Sequence, residues 1–164
     1  MADPRSHQIA ALAGLLLWGV VDLDFDITPA RIGVLLASVL AADFGMRKAV
    51  GEACCWSRDW RSPLISGLSL CLLLRAESHL VAAAVAVLAI GSKYVLRTNG
   101  RHLFNPTAFG IVAGLVLFER VWVSAGQWGS TALLVFAVVS LGIRVTHSAQ
   151  RADITLGFLA AFAG

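Results

Sequence analysis

Charged residues are scarce in this chain of 164 residues. Lys, Arg, Asp and Glu make up 14% of it and apolar residues 58%, against about 25% and about 45–50% in a typical soluble domain. So few charges cannot form the polar shell that a soluble core of this size needs. Three cysteines, two of them adjacent, are too few for a disulfide-stapled fold, and the high apolar content argues against a disordered chain.

Long charge-free runs take up most of the chain and predict membrane spans. They are 8–21, 32–42, 62–74, 80–92, 103–118, 121–143 and 154–164. Each run is rich in Leu and Ala and lacks the two-residue alternation of a barrel strand, which favours helix. The predicted fold is all-α: a polytopic transmembrane helical bundle of about seven spans, forming one integral membrane domain over 1–164. Arg31 and Lys93 can snorkel and extend two short runs toward the roughly 20 residues that cross a bilayer.

Basic residues are distributed unequally between the two sides that this topology defines. One side has only Arg31, Arg75 and Arg120, whereas the other has Arg5, Arg47, Lys48, Arg58, Arg61, Lys93, Arg97, Arg101, Arg144 and Arg151. Because cytoplasmic loops carry the excess of Lys and Arg, the second side, with the N-terminus, is predicted to be cytoplasmic. Topology thus explains the net charge of +3, and no nucleic acid is expected as a partner.

Two segments are predicted to need a bilayer or a partner. The linker 43–61 has apolar residues near helical spacing and two Trp side chains, which predicts an amphipathic segment in the cytoplasmic interface. The run 154–164 forms only about 16 Å of helix and is interpreted as an incomplete span. The expected partners are therefore the lipid bilayer and other membrane subunits of a hetero-oligomeric complex.

The densest polar stretch next to a predicted span begins at Lys93. Lys93, Arg97 and Arg101 recur every four residues and would form a cationic stripe on a continuing helix. Asn99-Gly100 is a turn signal that interrupts this helix before Arg101.

A second helix start follows at once. Asn105-Pro106 predicts a helix with Asn as its cap and Pro at its first position. The positive N-terminus of this helix, beside Arg101 and His102, can bind a phosphate or a carboxylate. The alternative is purely structural: the Asn is only a cap, and the cations only mark topology.

Other chemistry-bearing patterns are missing from the sequence. The four histidines are scattered and have no metal-ligand spacing, so no metal site is predicted. No Ser/His/Asp set, phosphate-loop pattern or dinucleotide fingerprint occurs, so no catalytic residue is predicted.

Three blocks of sequence resemble one family of membrane proteins. They are Arg61-Ser-Pro-Leu-Ile-Ser-Gly-Leu-Ser-Leu, Gly91-Ser-Lys-Tyr and Gly100-Arg-His-Leu-Phe-Asn-Pro-Thr-Ala-Phe-Gly. On these blocks the chain resembles the D-type membrane subunits of Rnf electron-transport complexes, a family that includes the B-type membrane subunit of the sodium-translocating NADH:quinone reductase. The resemblance covers about residues 8–164, with its specific part in 61–130, and looks like a short, stand-alone branch of the family.

The resemblance implies a multi-pass protein of the bacterial inner membrane, with part of a fold of about ten helices that is related to urea transporters. Of the family's site, only the Asn105-Pro106 helix start transfers by position. A flavin or quinone ring is expected among aromatic side chains such as Phe104 and Phe109, and a phosphate group at the helix start with Arg101 nearby. The candidate cofactor-binding residues are Arg101, Phe104, Asn105, Pro106 and Thr107. The Ser-Gly-Ala-Thr-type motif that carries a covalent flavin in larger members is missing here. Any flavin is therefore expected to be bound non-covalently.

Three functions follow as hypotheses. The first is a membrane subunit of a redox-driven electron-transport complex that contributes to a flavin or quinone site. The second is a cofactor-free scaffold or accessory subunit, which the missing flavin motif favours. The third is a small-solute or ion transporter, which fold analogy favours, although no ionisable residue is predicted to lie at the centre of a span.

Overall fold

The computed structural model describes residues 4–51, 60–98 and 101–124, together with 139–144, 146–147, 153, 157, 160 and 161. The protein is all-α and mostly helical. The described elements are α1 Pro4–Val21, α2 Pro29–Val50, α3 Arg61–Leu73, β1 Leu74–Ala76, α4 His79–Val95, β2 Arg97–Thr98, β3 Arg101–His102, α5 Pro106–Leu117 and β4 Val121–Val123. Most residues of the predicted spans 121–143 and 154–164 lie outside the described residues, as does the predicted turn Asn99-Gly100.

Side-chain caps determine where three of these helices begin. Thr28, Ser78 and Asn105 each accept a hydrogen bond from a backbone N–H of the first turn of α2, α4 and α5, which satisfies a donor that the helix itself cannot pair. The helix α2 is capped after Val50 by Gly51, whose φ of 72° is readily adopted by glycine.

Successive helices run in opposite directions, so the same kinds of helix end meet at each end of the bundle. The first residues of α1, α3 and α5 line one cavity together with Lys93 near the end of α4, and Lys93 binds Asp43 of α2. At the opposite end, the Arg31 guanidinium of α2 donates to the Glu77 carbonyl, which precedes α4 (3.2 Å). The helix α4 lies between α2 and α5, and its buried Val85, Ala89 and Ile90 belong to the core.

Glycine allows α5 to approach α4 closely. A Cβ atom added at Gly110 would lie 2.5 Å from the Ala89 Cβ and 3.1 Å from the Val85 carbonyl oxygen, and one added at Gly114 would lie 2.8 Å from a Val85 methyl. Small residues four apart let two helix backbones come together in this way. The α4–α5 contact therefore depends on the absence of side chains at these two positions.

Two short antiparallel ribbons are added to the helices, which the purely helical prediction did not include. The strand β1 pairs with β4, and β2 pairs with β3. Arg97 lies opposite His102 and Thr98 opposite Arg101, so the predicted cationic stripe is not helical beyond Lys93. The helix α4 already ends at Val95, four residues before the predicted turn.

The length of the helices does not support seven spans. Among the described residues, α2 is the one helix that is long and apolar enough to cross a membrane, and α3, α4 and α5 are shorter apolar helices of 13, 17 and 12 residues. A helix of 12 or 13 residues rises only about 18–20 Å, against about 30 Å of hydrocarbon. The charge-free runs correctly indicate where these helices lie. The helices are shorter than membrane spans because a strand, rather than further helical turns, follows α3 and another strand precedes α5.

The predicted boundary between a span and the linker 43–61 is displaced. The helix α2 continues to Val50, so residues 43–50 are its last two turns, whereas residues 52–59 lie outside the described residues. Asp43 is buried, at 4% exposure, rather than in an interfacial linker. The reason is that Arg47, Lys93 and Tyr94 all contact its carboxylate, which offsets the cost of burying a charge.

Candidate functional site

The helix start predicted at Asn105-Pro106 is confirmed. The helix α5 begins at Pro106, and the Asn105 side-chain oxygen accepts a hydrogen bond from the Thr107 N–H at 3.0 Å. Thr107 is itself buried, at 7% exposure. The first turn of α5 therefore has a defined geometry at one wall of a cavity.

This polar cavity has a volume of about 900 Å³ and is open to the outside. Its polar lining residues are Arg5 and Gln8 of α1, Ser62, Ser66 and Ser69 of α3, Lys93 of α4, and His102, Asn105 and Thr107. The three serines lie at i, i+4 and i+7 and so share one face of α3. No aspartate or glutamate is found among the described residues that line it, whereas Arg5 and Lys93 are cationic.

An apolar cavity of about 340 Å³ continues from the polar cavity along α3 and α5. Ser69, Asn105 and Thr107 line both cavities. Beyond them the wall consists of Leu73 and of Ala108, Ile111 and Val112 on successive turns of α5. The two cavities together form a groove, polar at one end and apolar at the other, which suits an amphipathic ligand.

Buried charges lie directly beside the polar cavity. The Asp43 carboxylate accepts from Arg47 Nε at 2.7 Å, from the Tyr94 hydroxyl at 2.7 Å and from Lys93 Nζ at 3.0 Å. Lys93 Nζ also donates to Ser62 Oγ at 3.1 Å. One carboxylate thus holds two cations, and one of these, Lys93, reaches the cavity wall.

Compared with known proteins, the chain matches no family model, no curated protein and no solved structure. The resemblance to the D-type membrane subunits of Rnf complexes therefore rests on the three sequence blocks alone and stays a prediction.

Four of the five predicted cofactor residues lie in one place. Phe104, Asn105, Pro106 and Thr107 all line the polar cavity. The backbone of Arg101 is in strand β3, and its side chain lies outside what the structure describes. These four residues come together because they are consecutive in the sequence around a helix start, which the sequence itself indicates.

Phe104 and Phe109, which were both expected beside a cofactor ring, line different cavities. Their ring centroids are 6.2 Å apart and tilted by 33°, but Phe104 lines the polar cavity whereas Phe109 lines a different apolar cavity with Met46 and Val87. They are five positions apart across a helix start, and α5 turns Phe109 toward α2 and α4. Of these two rings, Phe104 is the one that a ligand in the polar cavity would contact.

Sequence reasoning missed the contributions of α1 and α3 and the Asp43 network. The serines of α3 are a readable signal, since Ser62, Ser66 and Ser69 recur at helical spacing in an apolar run. The Asp43 network has a weaker signal in the sequence, because Lys93 lies fifty residues from Asp43.

Within the described residues, no group of three His, Cys, Asp or Glu side chains is placed to hold a metal ion.

Proposed function

We propose that this chain is a multi-pass protein of the bacterial inner membrane that acts as a subunit of a redox-driven electron-transport complex and binds a flavin or quinone non-covalently. The observation that carries the proposal is the groove between α3 and α5. Its polar cavity has the size of known cofactor sites, roughly 300–1,000 Å³, and it continues into an apolar cavity. Flavins and quinones both combine an apolar ring system with oxygen atoms that accept hydrogen bonds. The cofactor would carry the electrons, and the protein would bind and orient it.

The distribution of charge supports a membrane location. Leu80, Val116 and Val95 are exposed by 81%, 78% and 76%, whereas Arg75 and Asp43 are exposed by 1% and 4%. Soluble proteins have the reverse arrangement, with charged residues outside and large apolar residues mostly inside. An apolar exterior around buried charges is what a lipid environment favours.

The short helices fit a membrane if each is continued by its strand. The helix α3 rises about 20 Å and the strand β1 about 10 Å. Their combined length is close to the thickness of about 30 Å of the hydrocarbon layer. The helix α5 is followed by β4, which pairs with β1, so the extended backbone satisfies its hydrogen bonds within the protein, as it must in lipid. We therefore retain a topology of about seven spans with a cytoplasmic N-terminus, some of them broken helices, as in part of a urea-transporter-like fold.

The visible absorption spectrum of the full chain, purified from membranes in mild detergent, tests the proposal. We expect about one flavin per chain, or a quinone that organic solvent extracts and mass spectrometry identifies. Ser69→Phe should remove it, because Ser69 lines both cavities and a larger side chain would fill the groove. Val116→Phe is the matched control, since Val116 is exposed on α5 and lines neither cavity.

A preparation without flavin or quinone would contradict the proposal. If such a preparation retains other membrane subunits, it would instead support the scaffold hypothesis. Cofactor content that Ser69→Phe leaves unchanged would place the cofactor outside this groove.

Transport of a small solute is a second candidate, and the buried Asp43 favours it. The sequence argument against transport was the lack of an ionisable residue at the centre of a span. Asp43 is not at the centre of α2, but it is buried where the last two turns of this helix begin, and α2 is the one described helix of spanning length. Ionisable residues inside membranes often line pathways for ions or protons. Uptake of a small anion by proteoliposomes containing the colourless protein, lost in Asp43→Asn, would support this candidate.

A further inference from the structure

A separate cavity of about 440 Å³, called here the α1 cavity, lies along α1 and is open to the outside. Its lining residues on α1 recur at helical spacing from His7 to Trp18, and Leu141 is in the opposite wall. Leu16 of α1 belongs to the core of the bundle, whereas Gly14, in the middle of the lining face, is exposed. The α1 cavity is therefore on the face of α1 that is turned away from the core.

The shape of the α1 cavity suits an acyl chain. His7 and Trp18 are eleven residues apart, which corresponds to about 16 Å along a helix, close to half of a hydrocarbon layer of about 30 Å. The lining is mostly apolar, and a Cβ atom added at Gly14 would have no atom within 4 Å. With Ala10 and Ala11 on the same face, small side chains leave a channel that one chain of a lipid would fill.

Arg144 gives the α1 cavity a positive charge. The described residues that line it include no carboxylate, and His7, which also lines it, has an imidazole N–H that can donate to an oxygen atom. In the topology proposed above, Arg144 and the start of α1 both lie on the cytoplasmic side. The cytoplasmic leaflet has a negative surface potential because of its anionic lipids, which attract basic residues near the surface. An arginine side chain can reach the headgroup level while its stem stays against apolar surface.

We propose that the α1 cavity binds one anionic phospholipid of the cytoplasmic leaflet, with an acyl chain along α1 and the phosphate group at Arg144. The inference rests on the membrane location in the proposed function and not on its cofactor. None of the residues that line the α1 cavity lines the groove between α3 and α5, so the lipid and a cofactor do not compete for the same side chains.

Native mass spectrometry of the full chain, purified in mild detergent and freed of lipid, tests the proposal. The probes are phosphatidylglycerol and phosphatidylcholine with identical acyl chains, which differ in the net charge of the headgroup. We expect one phosphatidylglycerol per chain to bind more tightly than phosphatidylcholine. Arg144→Gln should remove this preference, on the order of 5-fold for one basic residue near an anionic lipid, and Arg144→Lys should retain most of it.

Lys48→Gln is the matched control for charge. It removes one positive charge from an exposed position near the end of α2, also on the predicted cytoplasmic side, and Lys48 does not line the α1 cavity. We therefore expect this variant to retain the preference of the unaltered chain for phosphatidylglycerol.

Gly14→Phe tests the acyl-chain channel. Because the space beside Gly14 is open, the ring should fill the channel without disturbing the fold, and the variant should lose the bound lipid whatever its headgroup. Gly33→Phe is the matched control, since the corresponding space on α2 is also open and Gly33 does not line the α1 cavity. A phosphatidylglycerol with a photoactivatable diazirine in its acyl chain should label peptides that contain Gly14 or Leu141 in the unaltered chain and in Gly33→Phe.

Three results would overturn the inference. Equal binding of both lipids, or a preference that Arg144→Gln leaves unchanged, would contradict the headgroup contact. Labelling that Gly14→Phe leaves unchanged would contradict the channel. A dimer of the chain that Gly14→Phe abolishes, without any bound lipid, would show that a second copy occupies the cavity.

Failure of this inference and failure of the proposed function are distinguishable. A chain that binds phosphatidylglycerol as expected but holds neither flavin nor quinone would contradict the redox function alone. A chain that holds a cofactor but shows no selective lipid would contradict the lipid site alone. Recovery of the chain in the soluble fraction would contradict both.

Discussion

Arg75 and Asp43 are the most buried charged residues described, at opposite ends of the bundle, and each is held by its surroundings. Arg75 Nη1 donates to the Cys71 and Leu74 carbonyl oxygens, both at 3.0 Å, and its guanidinium lies 5.7 Å from the Phe25 ring centroid. These contacts occupy carbonyl groups at the end of α3, where the helical hydrogen bonds stop. Arg75 thus binds the end of α3, and Asp43 joins the last turns of α2 and α4.

The cap of α5 is the residue-scale feature that we expect to be most directly measurable. Asn105→Ala removes the acceptor of the Thr107 N–H and should lower the free energy of unfolding by about 1 kcal/mol. Thermal unfolding of the purified chain in detergent measures this change. Asn105→Ser, which retains a capping oxygen, should be close to the unaltered chain. Equal stability of Asn105→Ala and the unaltered chain would show that the cap does not stabilise α5.

At the scale of elements, the α4–α5 contact depends on Gly110. Gly110→Ala places a methyl group where the Ala89 Cβ is only 2.5 Å away, and the resulting shift of α5 should cost about 1–3 kcal/mol of stability. Gly33→Ala is the control, because nothing lies within 4 Å of the corresponding position on α2. The midpoint of unfolding should fall for the first variant and change little for the second.

A compensating substitution at Ala89 tests whether the close approach of the two Cβ atoms causes the loss of stability in Gly110→Ala. Ala89→Gly removes the opposing methyl group, so Gly110→Ala combined with Ala89→Gly should be more stable than Gly110→Ala alone, since contacting residues are not additive. A double variant no more stable than Gly110→Ala would contradict direct contact between these positions.

At the scale of the whole molecule, the opposite directions of the helices and the distribution of basic residues predict which end faces the cytoplasm. In a chain without its native cysteines, Glu119→Cys should react with a membrane-impermeant maleimide in intact bacterial cells. Ser6→Cys, at the start of α1, should react only after the cells are permeabilised. Both residues are exposed in the structure, so the membrane rather than burial would protect Ser6→Cys.

Two results would contradict this topology. Reaction of both cysteines in intact cells, or of Ser6→Cys alone, would reverse or remove the predicted orientation. Recovery of the chain in the soluble fraction would remove the membrane location itself.

The helical class, the start of α5 at Pro106 and the grouping of four candidate site residues around that start could be predicted from the amino-acid sequence. These features are local: a charge-free run favours helix and Asn-Pro favours a helix start, whatever the rest of the chain does. Only the tertiary structure determined the end of α4 at Val95, the β1–β4 ribbon and the burial of Asp43. The end of α4 depends on the pairing of β2 with β3 just after it. The ribbon and the burial of Asp43 depend on partners far away in sequence, as when Lys93 and Tyr94 reach Asp43 across about fifty residues. Hydrophobic periodicity does not indicate which distant residues pair.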